Sequence, residues 1–184
     1  MENLSATLIK SIIKKRLPNS HKGTYGHALL IAGNLGKMGA ALIAAKACVR
    51  SGVGLVTVNV PFMEQLTIQV SVPEAMLHFR ESFSRNYESF SAIGIGPGIG
   101  KNSLEKKVLK EIIKYSDNPI VLDADALNII ADAKKILNKI PPWSLRGQLS
   151  CPQSLGLLVA RRTTQRHSAS LEHRYDQGRA DLHR

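Results

Sequence analysis

Two carboxylates stand one residue apart in VLDADALN, residues 121–128. Asp123 and Asp125 leave an apolar run together. If the strand continues through them, both side chains lie on one side of it. A buried carboxylate without a partner is costly. A metal, a hydroxyl-rich ligand or a helix N-terminus must therefore take them. Capping of the helix that carries Leu127, Ile129 and Ile130 is one reading and ligand contact is another. The two are compatible.

Glycines supply the second kind of chemistry. GNLGKMG, residues 33–39, has the spacing G-x-x-G-x-x-G, and GPGIG follows at 96–100. Neither is the dinucleotide fingerprint G-x-G-x-x-G, and neither is a Walker A loop. Glycine between a strand and a helix permits positive φ and close approach of a ligand to the backbone. The next helix then offers free N–H groups and the positive end of its dipole to an anion. A tight turn that only lets helix and sheet pack closely explains the same pattern. His21, Lys22 and Tyr25 occupy a polar loop before the first strand, either solvated or at the rim of a site. Cys48 reads as core on an alanine-rich helix, His78 as packing, and Trp143 beside Pro141 and Pro142 as a plug at the end of the sheet.

The elements that must carry these residues alternate. Residues 5–16 fit a helix with Leu8, Ile12 and Ile13 on one face, ended by Pro18. ALLIAG reads as a strand, Met38–Ser51 as a helix and LVTVNV as a strand stopped by Pro61. PEAMLHF reads as a change of direction. SAIGIG is a further strand, residues 102–115 a helix with Leu104, Val108, Leu109, Ile112 and Ile113 inward, PIVLDAD a strand and ALNIIAD the helical turn after it. Short apolar strands alternating with helices predict an α/β fold, with a parallel sheet covered on both faces. Ligands bind such sheets at the carboxyl ends of the strands. The turns Gly33–Gly39, Gly96–Gly100 and Asp123–Asp125 all fall there.

The formal charge of +11 raises the question of nucleic acid. The lysines Lys101, Lys106, Lys107, Lys110 and Lys114 follow a helix with no aromatic residues interleaved, unlike a single-strand binder. They read as a solvated face, and the basic bias suits an anionic small molecule equally. The sequence thus predicts no nucleic-acid partner. It has no apolar run long enough to span a membrane and no secretory leader pattern. Two cysteines, Cys48 and Cys151, in no metal or disulfide spacing imply a reduced, cytoplasmic setting.

Composition breaks near residue 144. Residues 1–144 hold 14 Lys, 16 Ile and 9 Asn, whereas residues 145–184 hold none of these and 7 Arg. The second segment also lacks sustained periodicity. It reads as a disordered basic tail, a fused segment or an out-of-frame product, the last favoured because Lys, Ile and Asn have AT-rich codons. The domain division is therefore 1–144 and 145–184.

HKGTYGHALLIAGNLGKMGAALIAAKACVRSGVGLVTVNVP, AIGIGPGIG and IVLDADALN, in this order and spacing, resemble the ADP- or ATP-dependent NAD(P)H-hydrate dehydratases. These form the carboxyl-terminal domain of bifunctional nicotinamide-nucleotide repair proteins. The resemblance covers roughly residues 5–144 and implies a ribokinase-like, mostly parallel α/β sheet. It implies a lyase that returns hydrated NADH or NADPH to the intact cofactor by transient phosphorylation of the hydrate hydroxyl. ATP or ADP, with Mg2+, would serve that step, and NAD(P)H hydrate would be the substrate. By match to the motifs, Gly39, Ala40 and Ala41 would line the hydrate site with Gly98 and Gly100. Asp123 and Asp125 would orient the substrate or a magnesium–phosphate group, with Lys22 and Tyr25 at the rim. The family also implies a homo-oligomer.

The family's later T-P-H-x-G-E segment, its nucleotide-binding lysine strand and its G-T-G-D motif with the general base are absent from these 184 residues. The resemblance then implies a fold incomplete at its C-terminal side, with one sheet edge unpaired, no catalytic residue in this chain, and weak or no turnover. Two other readings stay open: a ribokinase-like small-molecule or vitamin kinase, and a non-catalytic binding module.

Overall fold

The structure, a computed structural model, describes residues 5–7, 10, 16–82, 86–133 and 145–146. The helix expected over 5–16 falls largely outside the described residues. So do Pro141, Pro142, Trp143, Cys151 and all but two residues of the 145–184 segment.

Among the described residues, six strands form one sheet: β1 (His27–Ile31), β2 (Leu55–Val60), β3 (Met76–Phe79), β4 (Ala92–Ile95), β5 (Ile120–Leu122) and the two-residue β6 (Leu145–Arg146). Their order is β3-β2-β1-β4-β5-β6, and all five pairings are parallel. The chain winds outward from β1 to β3, then crosses back to β4 on the other side of β1. That reversal creates a switch point between β1 and β4, where the chain leaves the two strands toward opposite faces and a crevice opens at their carboxyl ends.

Among the described residues, four helices cover the sheet: α1 (Met38–Arg50), α2 (Gln65–Ser71), α3 (Ser103–Tyr115) and α4 (Ala124–Asp132). Successive side chains of a strand face opposite ways, and β1 shows the consequence. Leu29 and Ile31 enter one apolar cluster with Ile93, Ile95, Ile120, Leu122 and the inner faces of α3 and α4. Leu30 and Ala32 join the other, with Val56, Val58, Val60, α1 and α2. The expected two-faced parallel architecture is therefore present. In α1, Ala41 and Ala45 face inward and are fully buried, so the helix can lie close to the strands.

Two local readings change. PEAMLHF, residues 73–79, is not a simple reversal: it carries β3, and a one-turn 3-10 helix Phe62–Glu64 and α2 precede it. In α3, Glu105 takes an inward place beside Val108, Leu109, Ile112 and Ile113, while Leu104 is 38% exposed. On the C-terminal side Leu145 and Arg146 pair with Val121 and Leu122, so among the described residues the unpaired edge there is the two-residue β6.

Candidate functional site

The three turns singled out in the sequence meet at the carboxyl end of the sheet, around the switch point. The Gly33 N–H donates to the Pro97 carbonyl at 2.8 Å, which ties the turn after β1 to the turn after β4. Asn34 Nδ2 donates to the Ile99 carbonyl at 2.6 Å. Gly98 lies against α1. With φ at +67°, a β-carbon there would stand 2.9 Å from Ala40 Cβ and 3.0 Å from the Lys37 carbonyl oxygen. Only glycine meets both the conformation and the space.

The β5 turn joins from the other side. The Gly100 N–H donates to Asp125 Oδ2 at 2.9 Å, and Asn128 Nδ2 donates to Asp125 Oδ1 at 3.3 Å. Lys37 Nζ stands 3.9 Å from Asp125 Oδ2. Gly96 has φ +140°, and a β-carbon there would overlap the Asp123 carbonyl oxygen. The β4 and β5 turns thus touch backbone to backbone.

The two aspartates do not share one side of a continuing strand. The strand ends at Leu122; Asp123 is the extended N-cap residue of α4 and Asp125 lies in its first turn. Ala124 between them has φ +42°, the sole described non-glycine residue with positive φ. Asp123 makes no side-chain cap bond.

Gly39 is exposed at the start of α1, Ala40 half-buried, and Ala41 turned into the core. No side chain caps α1, and its first turn holds no acidic residue. Its leading N–H groups and dipole therefore favour an anion. Lys37, at the N-cap and 58% exposed, adds a positive charge beside them.

Lys22 and Tyr25 are not brought to this cluster. They form a 3-10 turn before β1, and Gly54 N–H, just before β2, donates to the Tyr25 carbonyl. That is the amino end of the sheet, a strand length of about 16 Å away. Tyr25 Oη is held there by Ser20 Oγ at 2.6 Å and the Leu17 N–H at 3.0 Å.

The sequence reading missed a buried ionic group beneath the turns. Arg80, directly after β3, is 2% exposed. Its Nη1 donates to the Gly33 carbonyl at 2.8 Å and its Nη2 to those of Ala32 and Asn59 at 3.1 and 3.0 Å. Its Nε donates to Asn59 Oδ1 at 3.2 Å. Glu105 Oε1 lies 3.8 Å from Nη1 and accepts from Asn34 Nδ2 at 3.2 Å. Burial pulls the Arg80 pKa below its ordinary value, and the Glu105 and Glu81 charges oppose that shift. The available signal was the helical spacing 105, 108, 109, 112, 113, which puts a carboxylate on the apolar face of α3.

The match with the NAD(P)H-hydrate dehydratase family model runs over residues 28–141 and takes in all three turns. The chain belongs to this family. It is 34% identical over 136 residues to an ADP-dependent (S)-NAD(P)H-hydrate dehydratase of Listeria monocytogenes, covering 71% of this chain and 49% of that protein. A ribokinase-like superfamily protein of Enterococcus faecalis superposes with a TM-score of 0.72 at 27% identity, over 78% of this chain and 52% of the other. The ADP/ATP-dependent NAD(P)H-hydrate dehydratase of Bacillus subtilis, co-crystallized with ATP and Mg2+, gives 0.61 at 31% identity, over 67% and 46%. The fold is therefore ribokinase-like, and the chain spans about half the length of these relatives.

Among the described residues, no helix is long and apolar enough to cross a membrane. Nor does any group of three or more His, Cys, Asp or Glu side chains stand where it could hold a metal ion.

Proposed function

We propose that these residues form the dinucleotide-binding half of an NAD(P)H-hydrate dehydratase. The observation that carries this reading is the meeting of the three turns, with Gly98 against Ala40 and the Gly100 N–H on Asp125. A hydrated nicotinamide dinucleotide is a polyanion with ribose hydroxyls. The uncapped start of α1, exposed Gly39 and Lys37 suit its phosphates. Gly98 and Gly100 keep side chains out of the crevice, with Ala40 beside them. Ala41 serves indirectly by letting α1 approach the sheet. Asp123, with no cap bond of its own, would accept from a ribose or hydrate hydroxyl, and Asp125 orients the β4 turn.

ADP or ATP would supply the phosphoryl group that turns the hydrate hydroxyl into a leaving group. The motifs that the resemblance assigns to that step lie outside this sequence, so these residues bind and orient rather than turn over. Mg2+ would come with the nucleotide, since it takes most of its shell from phosphate oxygens and water. Asp125 Oδ1 and Oδ2 are already engaged by Asn128 and Gly100, which leaves Asp123 the freer carboxylate of the two.

The test is titration of the 184-residue chain with NADPH and hydrated NADPH, followed by recovery of the reduced-nicotinamide absorbance with ADP or ATP and Mg2+. The expected result is saturable binding, weakened by Lys37→Met, with little or no recovery of NADPH. Absence of dinucleotide binding overturns the reading. Robust turnover by the chain alone shows that the catalytic group was assigned outside it wrongly.

A further inference from the structure

We infer that the buried Arg80–Glu105 pair is a positioning device for the turn between β1 and α1; its ligand arm rests on the dinucleotide-binding reading above. The guanidinium grips two successive peptide carbonyls, Ala32 and Gly33, where the chain leaves β1. It grips Asn59 at the end of β2 through both main-chain and side-chain oxygens. Arg80 itself follows β3, and its own N–H donates to the Val60 carbonyl at 3.0 Å. One rigid, donor-only group therefore sets the relative placement of three strand ends.

The grip fixes direction as well as place. In a planar trans peptide the N–H points opposite to the C=O. Carbonyls 32 and 33 turned toward Arg80 send the Gly33 and Asn34 N–H groups the other way. Gly33 shows this, donating across the switch point to Pro97. Glu105 completes the device. It opposes the guanidinium charge and receives Asn34 Nδ2, which also bonds the Ile99 carbonyl of the β4 turn. The pair thus couples the two turns that face the crevice.

Stability alone does not account for the pair. Apolar residues of similar volume often replace a buried ion pair without loss. Glu105 Oε2 is buried with no hydrogen-bond partner among the described residues, a cost an apolar residue would avoid. What the pair gives that an apolar patch cannot is aim.

Three variants of the full chain test this: R80K, E105Q and N34A. Lysine keeps the charge but cannot span four acceptor sites. Glutamine keeps an acceptor for Asn34 and loses the charge. Asn34→Ala cuts the link to the β4 turn at a half-buried position. Amide exchange is followed at Gly33–Lys37 and, as the core reference, at Ile93 and Ile95, together with NADPH affinity. The expected result is exchange at 33–37 faster by about tenfold, NADPH affinity lower by about tenfold, and protection at 93 and 95 retained. Unchanged exchange at 33–37 in a folded variant overturns the inference, as does an equal rise in turn and core. Should R80K fail to fold, E105Q and N34A give the same readouts. If the parent chain binds no NADPH, the dinucleotide reading fails while the exchange pattern still decides the positioning role.

Discussion

The turns after β1 and β5 hold their shapes by opposite means. The β1 turn is anchored from within: Arg80 braces its carbonyls from beneath and Glu105 accepts from its Asn34 side chain, both residues nearly inaccessible. The β5 turn is gripped nearer the surface. Asp125, with a side chain 20% exposed, reaches out to the Gly100 N–H, and Ala124 sits behind it at φ +42°. A buried brace works in a medium of low polarity, where a charge left unpaired is very unfavourable. A partly exposed carboxylate exchanges its partners with water or a ligand at small cost. The β1 turn is therefore the fixed wall of the crevice, and the β5 turn is the side that can respond to a ligand.

The largest effect should come from breaking the brace. Arg80→Met leaves Glu105 charged and buried without its counter-ion, and unfolding free energy should fall by about 3–5 kcal/mol. Adding Glu105→Leu should recover most of that loss. Urea denaturation of the two variants checks it. A loss no larger than that of a surface substitution would remove the distinction between the two turns. Asp125→Ala, by contrast, should cost about 1–2 kcal/mol, because water can replace part of what the carboxylate gives Gly100. Exchange at Gly100 should rise while Gly33 stays protected.

What the sequence showed and hid follows the same division. Strands β1, β2 and β4 and helices α1 and α3 are strong local patterns, and their turns are marked by glycine or acid. The parallel alternation then placed Gly33–Gly39, Gly96–Gly100 and Asp123–Asp125 together. Helix α2 and strand β3 were missed because LTIQVS and MLHF are short, and β-branched residues sit in the helix. Arg80 was invisible for a different reason. Its role depends on carbonyls 47 and 48 residues away in sequence, and no local pattern records such a bond. Glu105 was legible, since it lies on the apolar period of α3, yet Leu104 looked the more natural inward residue. Lys22 and Tyr25 carry a topological lesson: residues that precede a parallel strand lie at its amino end, away from any site built after the strands.

Strain in the β5 turn sharpens the contrast further. An alanine at positive φ costs on the order of 1–2 kcal/mol, and glycine would relieve it while losing about 0.5–1 kcal/mol to the unfolded chain's freedom. Ala124→Gly should therefore raise stability by up to about 1.5 kcal/mol, read as a small increase in the urea midpoint. A decrease would mean that the turn carries no strain worth relieving.

The smallest expected effect is the share of the pH dependence that belongs to the buried brace; His27, whose pKa burial also lowers, adds a decline of the same sign from the amino end of β1. Arg80 only donates, so Asn59 Oδ1 must face its Nε and Asn59 Nδ2 must face His78 Nδ1, 3.0 Å away. His78 Nδ1 is then the acceptor, and the neutral ring carries its proton on Nε2. Protonation would set a second N–H against the amide. Burial lowers the His78 pKa below 6.5, and a hydrogen bond to the Phe79 backbone opposes that only in part. The unfolded chain therefore takes up the proton first as pH falls. Stability is full above about 6.5 and declines below it, toward the lower pKa of the folded ring. Denaturation between pH about 7.5 and about 5 should show that decline, and His78→Gln should reduce it. Because the imidazole touches Asn59 rather than Asp125, acid should loosen Gly33 before Gly100 in amide exchange. Equal loosening of both, or a slope untouched by the glutamine, would separate His78 from the brace.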